Sequence, residues 1–208
     1  STAALPTLSG KTVCASSWDE AKTYDYTLYD NYNRTMRRGD REQQHTLIGS
    51  GVQKNHTFCQ KAWYLKGCYE KAVTRPNNYL SKHFVTWAKN KSYNPARIMA
   101  ALAYQETKSG ALGDQGSNGV GILQIVTAFQ SKDKLVPDWD NATWAGITHN
   151  ILTNIEYSMR AAGVKIMENN VYDVGSLAYF YNGNPAIQAK YSANVKRFYY
   201  RIKSECGW

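Results

Sequence analysis

Residues 94–125 of the chain read NPARIMAALAYQETKSGALGDQGSNGVGILQI. Asn94 provides a capping side chain and Pro95 suits the first helical position, so a helix is predicted to begin here. The apolar residues that follow form a wide buried face, and Glu106 falls on or beside it. Glutamates are rarely buried unless they are paired. The sequence therefore predicts an unusual carboxylate at the end of an apolar helix.

The glycine-rich segment after this helix predicts a loop that binds a ligand. Gly116, Gly119 and Gly121 permit close approach between the backbone and a bulky ligand. Asn118 and Gln124 offer paired donors and acceptors that suit sugar hydroxyl and acetamido groups. Both are candidate substrate-binding residues.

A second carboxylate lies in the same loop. Asp114 follows Glu106 across a turn, which allows the two side chains to face each other over a cleft. Glycoside hydrolysis needs such a pair, an acid kept protonated by apolar surroundings and a second group across the sugar. Taken by itself, the loop is explained equally well as a plain glycine-rich turn that Asp114 caps.

Helical patterns recur along the rest of the chain and predict a mainly α fold, with at most one small β-hairpin near residues 113–125. We expect an N-terminal helical extension over residues 1–75, packed on a catalytic domain over residues 76–208. The helices are expected at Ser17 to about Arg38, at Phe58–Val73, from Tyr79 onward, from Ile147 through Met159 to an end at Gly163, and from about Pro185 to Lys203.

The cysteines are even in number and stand at Cys14, Cys59, Cys68 and Cys206. They fit two disulfides and an oxidising compartment, although four free thiols are an alternative. If one helix carries both Cys59 and Cys68, they are roughly 13 Å apart along its axis, which exceeds disulfide reach. Gly67 could break that helix and allow the pair. We favour a bridge from Cys206 to one of the other three.

The chain of 208 residues has 25 Lys and Arg against 16 Asp and Glu, a formal net charge of +9. This charge indicates either a solvated basic surface or attraction to a polyanion, such as nucleic acid or the anionic bacterial wall. The basic residues are spread along the chain, which weakens the nucleic-acid interpretation. The histidines show no ligand spacing, so no metal or other cofactor is predicted.

No stretch approaches the roughly 20 apolar residues of a membrane helix, so no membrane insertion is expected. Residues 1–10 lack a charged start followed by an apolar run, the pattern of a secretory signal. We therefore expect a mature form, or a domain of a longer protein, that works in the periplasm or outside the cell.

Three ordered blocks carry a resemblance to a known family. They are Glu106-Thr107-x-Ser109-Gly110, then Gly113-Asp114-x-Gly116 with Asn118-Gly119-x-Gly121-Ile122-Leu123-Gln124-Ile125, then Ala178-Tyr179-Phe180-Tyr181-Asn182-Gly183. These blocks resemble goose-type lysozymes and soluble lytic transglycosylases, over roughly residues 94–200. The resemblance implies a mostly helical lysozyme-like fold and action on the β-1,4 bond between N-acetylmuramic acid and N-acetylglucosamine.

The resemblance also assigns roles to individual residues. It implies that Glu106 is the general acid, and it makes Gln124, Tyr181 and Asn182 residues of the cleft. The Gly-Asp-x-Gly element is closer to goose-type lysozymes and suggests that Asp114 orients or activates water.

The chain departs from the family pattern at two positions. Thr107 replaces the usual serine after the glutamate. Val126 stands where goose-type enzymes often place another aspartate, so Asp114 would have to direct water alone. Tyr181, at the end of a further helix predicted from Asp173 to Tyr181, also has a simple packing interpretation.

These observations favour a secreted or injected muramidase, with an inverting route through water. A lytic transglycosylase that forms 1,6-anhydro products is the alternative, and a non-catalytic glycan-binding module is a second. A nucleic-acid binder ranks last. The expected partners are peptidoglycan strands, with an immunity or inhibitor protein if the chain is an effector, and we expect a monomer.

Overall fold

Helices form most of the part of the chain that the computed structural model describes. The described residues are Cys14 and residues 29–30, 35–36, 56–76, 78–112, 119–126, 132–135, 143–168, 181 and 184–208. The helices are α1 (Phe58–Val73), α2 (Val85–Asn90), α3 (Pro95–Thr107), α4 (Lys132–Leu135), α5 (Trp144–Thr153), α6 (Ile155–Glu168) and α7 (Gln188–Arg201). One π-helical turn, Leu80–Phe84, leads into α2, and another, Ile202–Cys206, continues α7. The prediction of a mainly α fold is confirmed.

Two short antiparallel strand pairs accompany the helices. Strand β1 (Tyr29–Asp30) pairs with β2 (Thr35–Met36), and β3 (Gly119–Val120) pairs with β4 (Ile125–Val126). The second pair is the small hairpin predicted near the loop. The first pair contradicts the helix predicted through Arg38, because the tyrosines there favour strands and the asparagines between them favour a turn.

Helix α3 is the centre of the structure. The Asn94 side chain accepts a hydrogen bond from the Arg97 backbone amide at 3.1 Å, and Pro95 occupies the first turn, as predicted. Its residues Ile98, Met99 and Leu102 are fully buried, and the helix packs between α1 and α7. The buried face therefore holds the end of α3 in a fixed place.

Helix α1 has the predicted bounds. Thr57 caps it, because its hydroxyl accepts from the Gln60 amide and the Gln60 side chain accepts from the Thr57 amide. The helix packs against α3 and α6, so this part of the expected N-terminal extension shares the main core.

The predicted helix end at Gly163 is wrong. Asn154 separates α5 from α6 with an extended backbone, and its side chain accepts from the Tyr157 amide at 3.0 Å to begin α6. Helix α6 then continues through Gly163, where a Cβ atom would lie 2.5 Å from Leu80 Cδ2. The glycine allows helix packing rather than ending the helix.

Both disulfides are formed in the structure. Cys14 is bonded to Cys68 and Cys59 to Cys206. Cys59 and Cys68 do lie on one helix and bond elsewhere, and the favoured bridge from Cys206 to the N-terminal segment is confirmed. No helix of the described residues has the length and apolar character needed to cross a membrane.

Candidate active site

Glu106 lies in the last turn of α3, and its side chain keeps partial exposure. Its carboxylate accepts a hydrogen bond from the hydroxyl of Tyr191 in α7. Burial raises the pKa of Glu106 from 4.5 to about 7, against the opposing effects of the Tyr191 bond and the Lys165 charge. Near neutral pH, protonated and ionised forms of this carboxyl are both populated, as a general acid requires.

A group of aromatic and basic side chains supports this carboxyl. The Tyr181 ring stacks on the Tyr191 ring at 6.3 Å between centroids, and the Lys165 Nζ lies 4.1 Å from the Tyr181 centroid. The Tyr181 hydroxyl donates to the Leu123 carbonyl at 2.7 Å. We call Glu106, Tyr191, Tyr181 and Lys165 the tyrosine cluster; it joins α3, α6 and α7 to the β3–β4 hairpin.

The electrostatics of the cluster keep both tyrosines protonated. Burial raises the pKa of Tyr181 and of Tyr191 well above the usual value, and the nearby Glu106 charge adds to each effect. A tyrosine that stays protonated remains a hydrogen-bond donor at every physiological pH. Tyr191 can therefore stabilise the Glu106 carboxylate at every physiological pH.

Thr107 connects the end of α3 to the hairpin. Its fully buried hydroxyl donates to the Ile122 carbonyl at 2.9 Å and accepts from the Gly110 amide at 2.8 Å. A serine hydroxyl at this position could make the same bonds. The residue beside Glu106 thus fixes the carboxylate relative to the loop.

The chain leaves α3 through three consecutive left-handed residues, Lys108, Ser109 and Gly110, with φ of 48°, 59° and 91°. The Ser109 amide donates back to the Ala103 carbonyl at 3.0 Å. This turn ends the helix at Thr107, with Lys108 as its left-handed cap.

The hairpin glycines serve the protein's own packing. A Cβ atom on Gly121, whose φ is +76°, would lie 2.5 Å from the Ile151 carbonyl oxygen of α5. A Cβ on Gly119 would lie 2.9 Å from Gln124 Oε1. The close approach predicted for a ligand is therefore made at these two positions by neighbouring protein atoms.

Gln124 lies in the turn of the hairpin with a left-handed φ of 49°. Its Nε2 donates to the Gly121 carbonyl at 2.8 Å, so its side chain folds across the turn while staying partly exposed. Tyr181, bonded to the adjacent Leu123, is only 3% exposed. The predicted Gln124 and Tyr181 thus lie at the same hairpin, with Tyr181 as a buried support.

Three predicted site residues, Asp114, Asn118 and Asn182, lie outside the described residues. Local patterns in the sequence singled out neither Tyr191 nor Lys165. The signal for Tyr191 was a polar hydroxyl within the apolar stripe of α7. The signal for Lys165 was a lysine between two buried apolar residues, Val164 and Ile166.

Comparisons of this chain with protein-family models, with curated protein sequences and with solved structures find no match. The resemblance to goose-type lysozymes and lytic transglycosylases therefore rests on the three sequence blocks. Among the described residues, no three His, Cys, Asp or Glu side chains are grouped so as to hold a metal ion.

Proposed function

We propose that the chain is a peptidoglycan muramidase in which Glu106 is the general acid. The observation that carries the proposal is the Glu106 carboxyl, which has a pKa of about 7 at the end of an apolar helix and accepts a hydrogen bond from Tyr191. A general acid must hold its proton near neutral pH and release it to the leaving group. An ordinary surface glutamate is ionised at that pH and cannot do so.

In the proposed reaction, Glu106 donates its proton to the oxygen of the β-1,4 bond as that bond breaks. Positive charge develops on the N-acetylmuramic acid ring, and a water directed by Asp114 attacks the opposite face with inversion while its proton passes to the Asp114 carboxylate. This inverting route requires roughly 6.5–9.5 Å between the two carboxyl groups. The Tyr191 hydroxyl stabilises the carboxylate that Glu106 becomes.

The lysozyme-like sequence blocks support a peptidoglycan substrate. The net charge of +9 favours encounters with an anionic wall. The two disulfides fit an oxidising place of work, so we propose secretion or delivery to the periplasm or cell wall.

Mass spectrometry of the soluble products from purified peptidoglycan sacculi tests the proposal. The wild-type protein should release fragments with a reducing N-acetylmuramic acid end, and Glu106→Gln should release almost none. Fragments one water lighter would show that the reaction is transglycosylation, with a 1,6-anhydro product, rather than hydrolysis. Binding to sacculi without release would favour the non-catalytic glycan-binding module. Equal release by both proteins would remove Glu106 from the chemistry.

A further inference from the structure

Lys165 lies beside Tyr181, one of the side chains that support the proposed catalytic carboxyl of Glu106. It belongs to α6 and is partly buried, and its neighbours Val164 and Ile166 are almost completely buried. Its Nζ lies over the face of the Tyr181 ring at 4.1 Å from the centroid. A cation over an aromatic face is attracted by the ring, so this contact fixes the position of the ammonium group.

A continuous set of contacts connects Lys165 to Glu106. Lys165 lies on Tyr181, Tyr181 stacks on Tyr191, and the Tyr191 hydroxyl donates to the Glu106 carboxylate. The charges also interact directly. The Lys165 ammonium lowers the pKa of Glu106, and Glu106 opposes the lowering of the Lys165 pKa that burial causes.

We propose that Lys165 is a positioning residue for Glu106. The Lys165 ammonium group, held on the Tyr181 ring, stabilises the carboxylate left after Glu106 has donated its proton. The inference rests on the proposed function. In this step the Glu106 proton moves to the glycosidic oxygen as the carbon–oxygen bond breaks. Lys165 keeps its own proton throughout.

The physical reason lies in the two demands on a general acid. Burial alone favours the neutral carboxyl and so makes proton release harder. A nearby positive charge favours the ionised form and restores part of the acid strength. The described residues that act on the Glu106 carboxyl are Lys165 from α6, Tyr191 from α7 and Tyr181, and Lys165 is the one with a positive charge.

The test compares Lys165→Met with Lys165→Arg, and Lys89→Met is the matched control at an exposed lysine of α2. The pKa of Glu106 is measured by NMR from the titration of its side-chain carboxyl carbon. Lys165→Met should raise this pKa by roughly one pH unit, and the alkaline limb of sacculus digestion should move upward with it. Lys165→Arg and Lys89→Met should keep the wild-type values. An unchanged Glu106 pKa in folded Lys165→Met overturns the inference.

A reciprocal measurement does not require the lysine variant to fold. In Glu106→Gln the pKa of Lys165, followed by NMR at its side-chain Cε, should fall relative to wild type, because the carboxylate that supports the ammonium charge is gone. No change in the Lys165 pKa would overturn the inference. Both NMR measurements are independent of activity, so a wild-type protein that releases nothing from sacculi refutes the proposed function separately.

Discussion

Glu106 and Glu156 are two enclosed carboxylates with the same cause of pKa change and very different surroundings. Burial raises the pKa of each. Glu156 is only 1% exposed in the first turn of α6, with Lys71 Nζ of α1 at 3.9 Å and the Arg75 charge nearby. Glu106 lies at a helix end, keeps partial exposure and is hydrogen-bonded by a tyrosine. A raised pKa alone therefore does not distinguish the two carboxylates, whereas partial exposure at a helix end and a tyrosine hydrogen bond do.

The largest expected effect is on activity, which should depend on Glu106 and not on Glu156. Glu106→Gln should reduce the release of soluble fragments from sacculi by about 10²–10⁴-fold, the usual contribution of a general acid. Glu156→Gln is the matched control and should leave release within about threefold of wild type, because that side chain is closed off from any sugar. The assay is the initial rate of fragment release at pH 6.

Two outcomes would break this comparison. A loss of activity in folded Glu156→Gln as large as in Glu106→Gln would place the chemistry elsewhere in the fold. Circular dichroism of both variants establishes whether a loss reflects chemistry or unfolding.

The disulfides provide the next comparison, since each involves a cysteine in or after a helix that carries a partner of one carboxylate. Cys206 follows α7, which carries Tyr191, and Cys68 precedes Lys71 in α1. Replacing either pair by serines should lower the free energy of unfolding by about 2–5 kcal/mol. The bonds span 147 and 54 residues, so loss of Cys59–Cys206 should cost about 1 kcal/mol more.

Denaturant unfolding of the two double-serine variants measures that difference. A greater loss from the Cys14–Cys68 pair would contradict the loop-length argument. Loss of Cys59–Cys206 should also reduce sacculus digestion more, because it loosens the helix that presents Tyr191.

The pH dependence of stability provides a third test. The folded pKa of Glu106 is about 7 against 4.5 ordinarily, so folding favours its protonated form. This contribution to stability is complete below pH 4.5, declines as the pH rises to about 7, and amounts to at most about 3 kcal/mol. Glu106→Gln should remove the decline and be more stable than wild type at pH 8.

Glu156→Gln should act in the same direction, because the folded pKa of Glu156 is also raised. Thermal unfolding between pH 4 and pH 8 measures both effects. A wild-type protein that gains stability over this range relative to Glu106→Gln would show that the Glu106 pKa is not raised. The two variants should therefore change the pH dependence of stability in the same direction and differ in activity.

Local patterns in the sequence were sufficient for much of the fold. The bounds of α1, the Asn94-Pro95 helix start and the enclosed position of Glu106 follow from capping and apolar spacing, which act over a few residues. The break at Asn154 is itself a local cap, on the Tyr157 amide, which the apolar spacing across it concealed. The packing role of Gly163 depends on Leu80 and Phe84, partners far along the chain. Capping and spacing do not encode those partners.

The site shows the same division. The sequence placed Glu106, Gln124 and Tyr181 near the glycine-rich loop. Tyr191 and Lys165 approach Glu106 from helices 59 or more residues away in the chain, and local patterns connect neither side chain with it. Long-range contacts of this kind require the packed structure.

The smallest expected effect concerns Thr107, which ties Glu106 to the hairpin and has no counterpart described here beside Glu156. Thr107→Val removes the hydroxyl while keeping the shape, so the Gly110 amide and the Ile122 carbonyl lose a buried partner. The expected loss is about 1–3 kcal/mol of unfolding free energy. Thr107→Ser keeps the hydroxyl and should lose about 1 kcal/mol or less, for one buried methyl group. Denaturant unfolding distinguishes the two. A larger loss in Thr107→Ser than in Thr107→Val would mean that the methyl group, rather than the hydroxyl, holds the end of α3 against the hairpin.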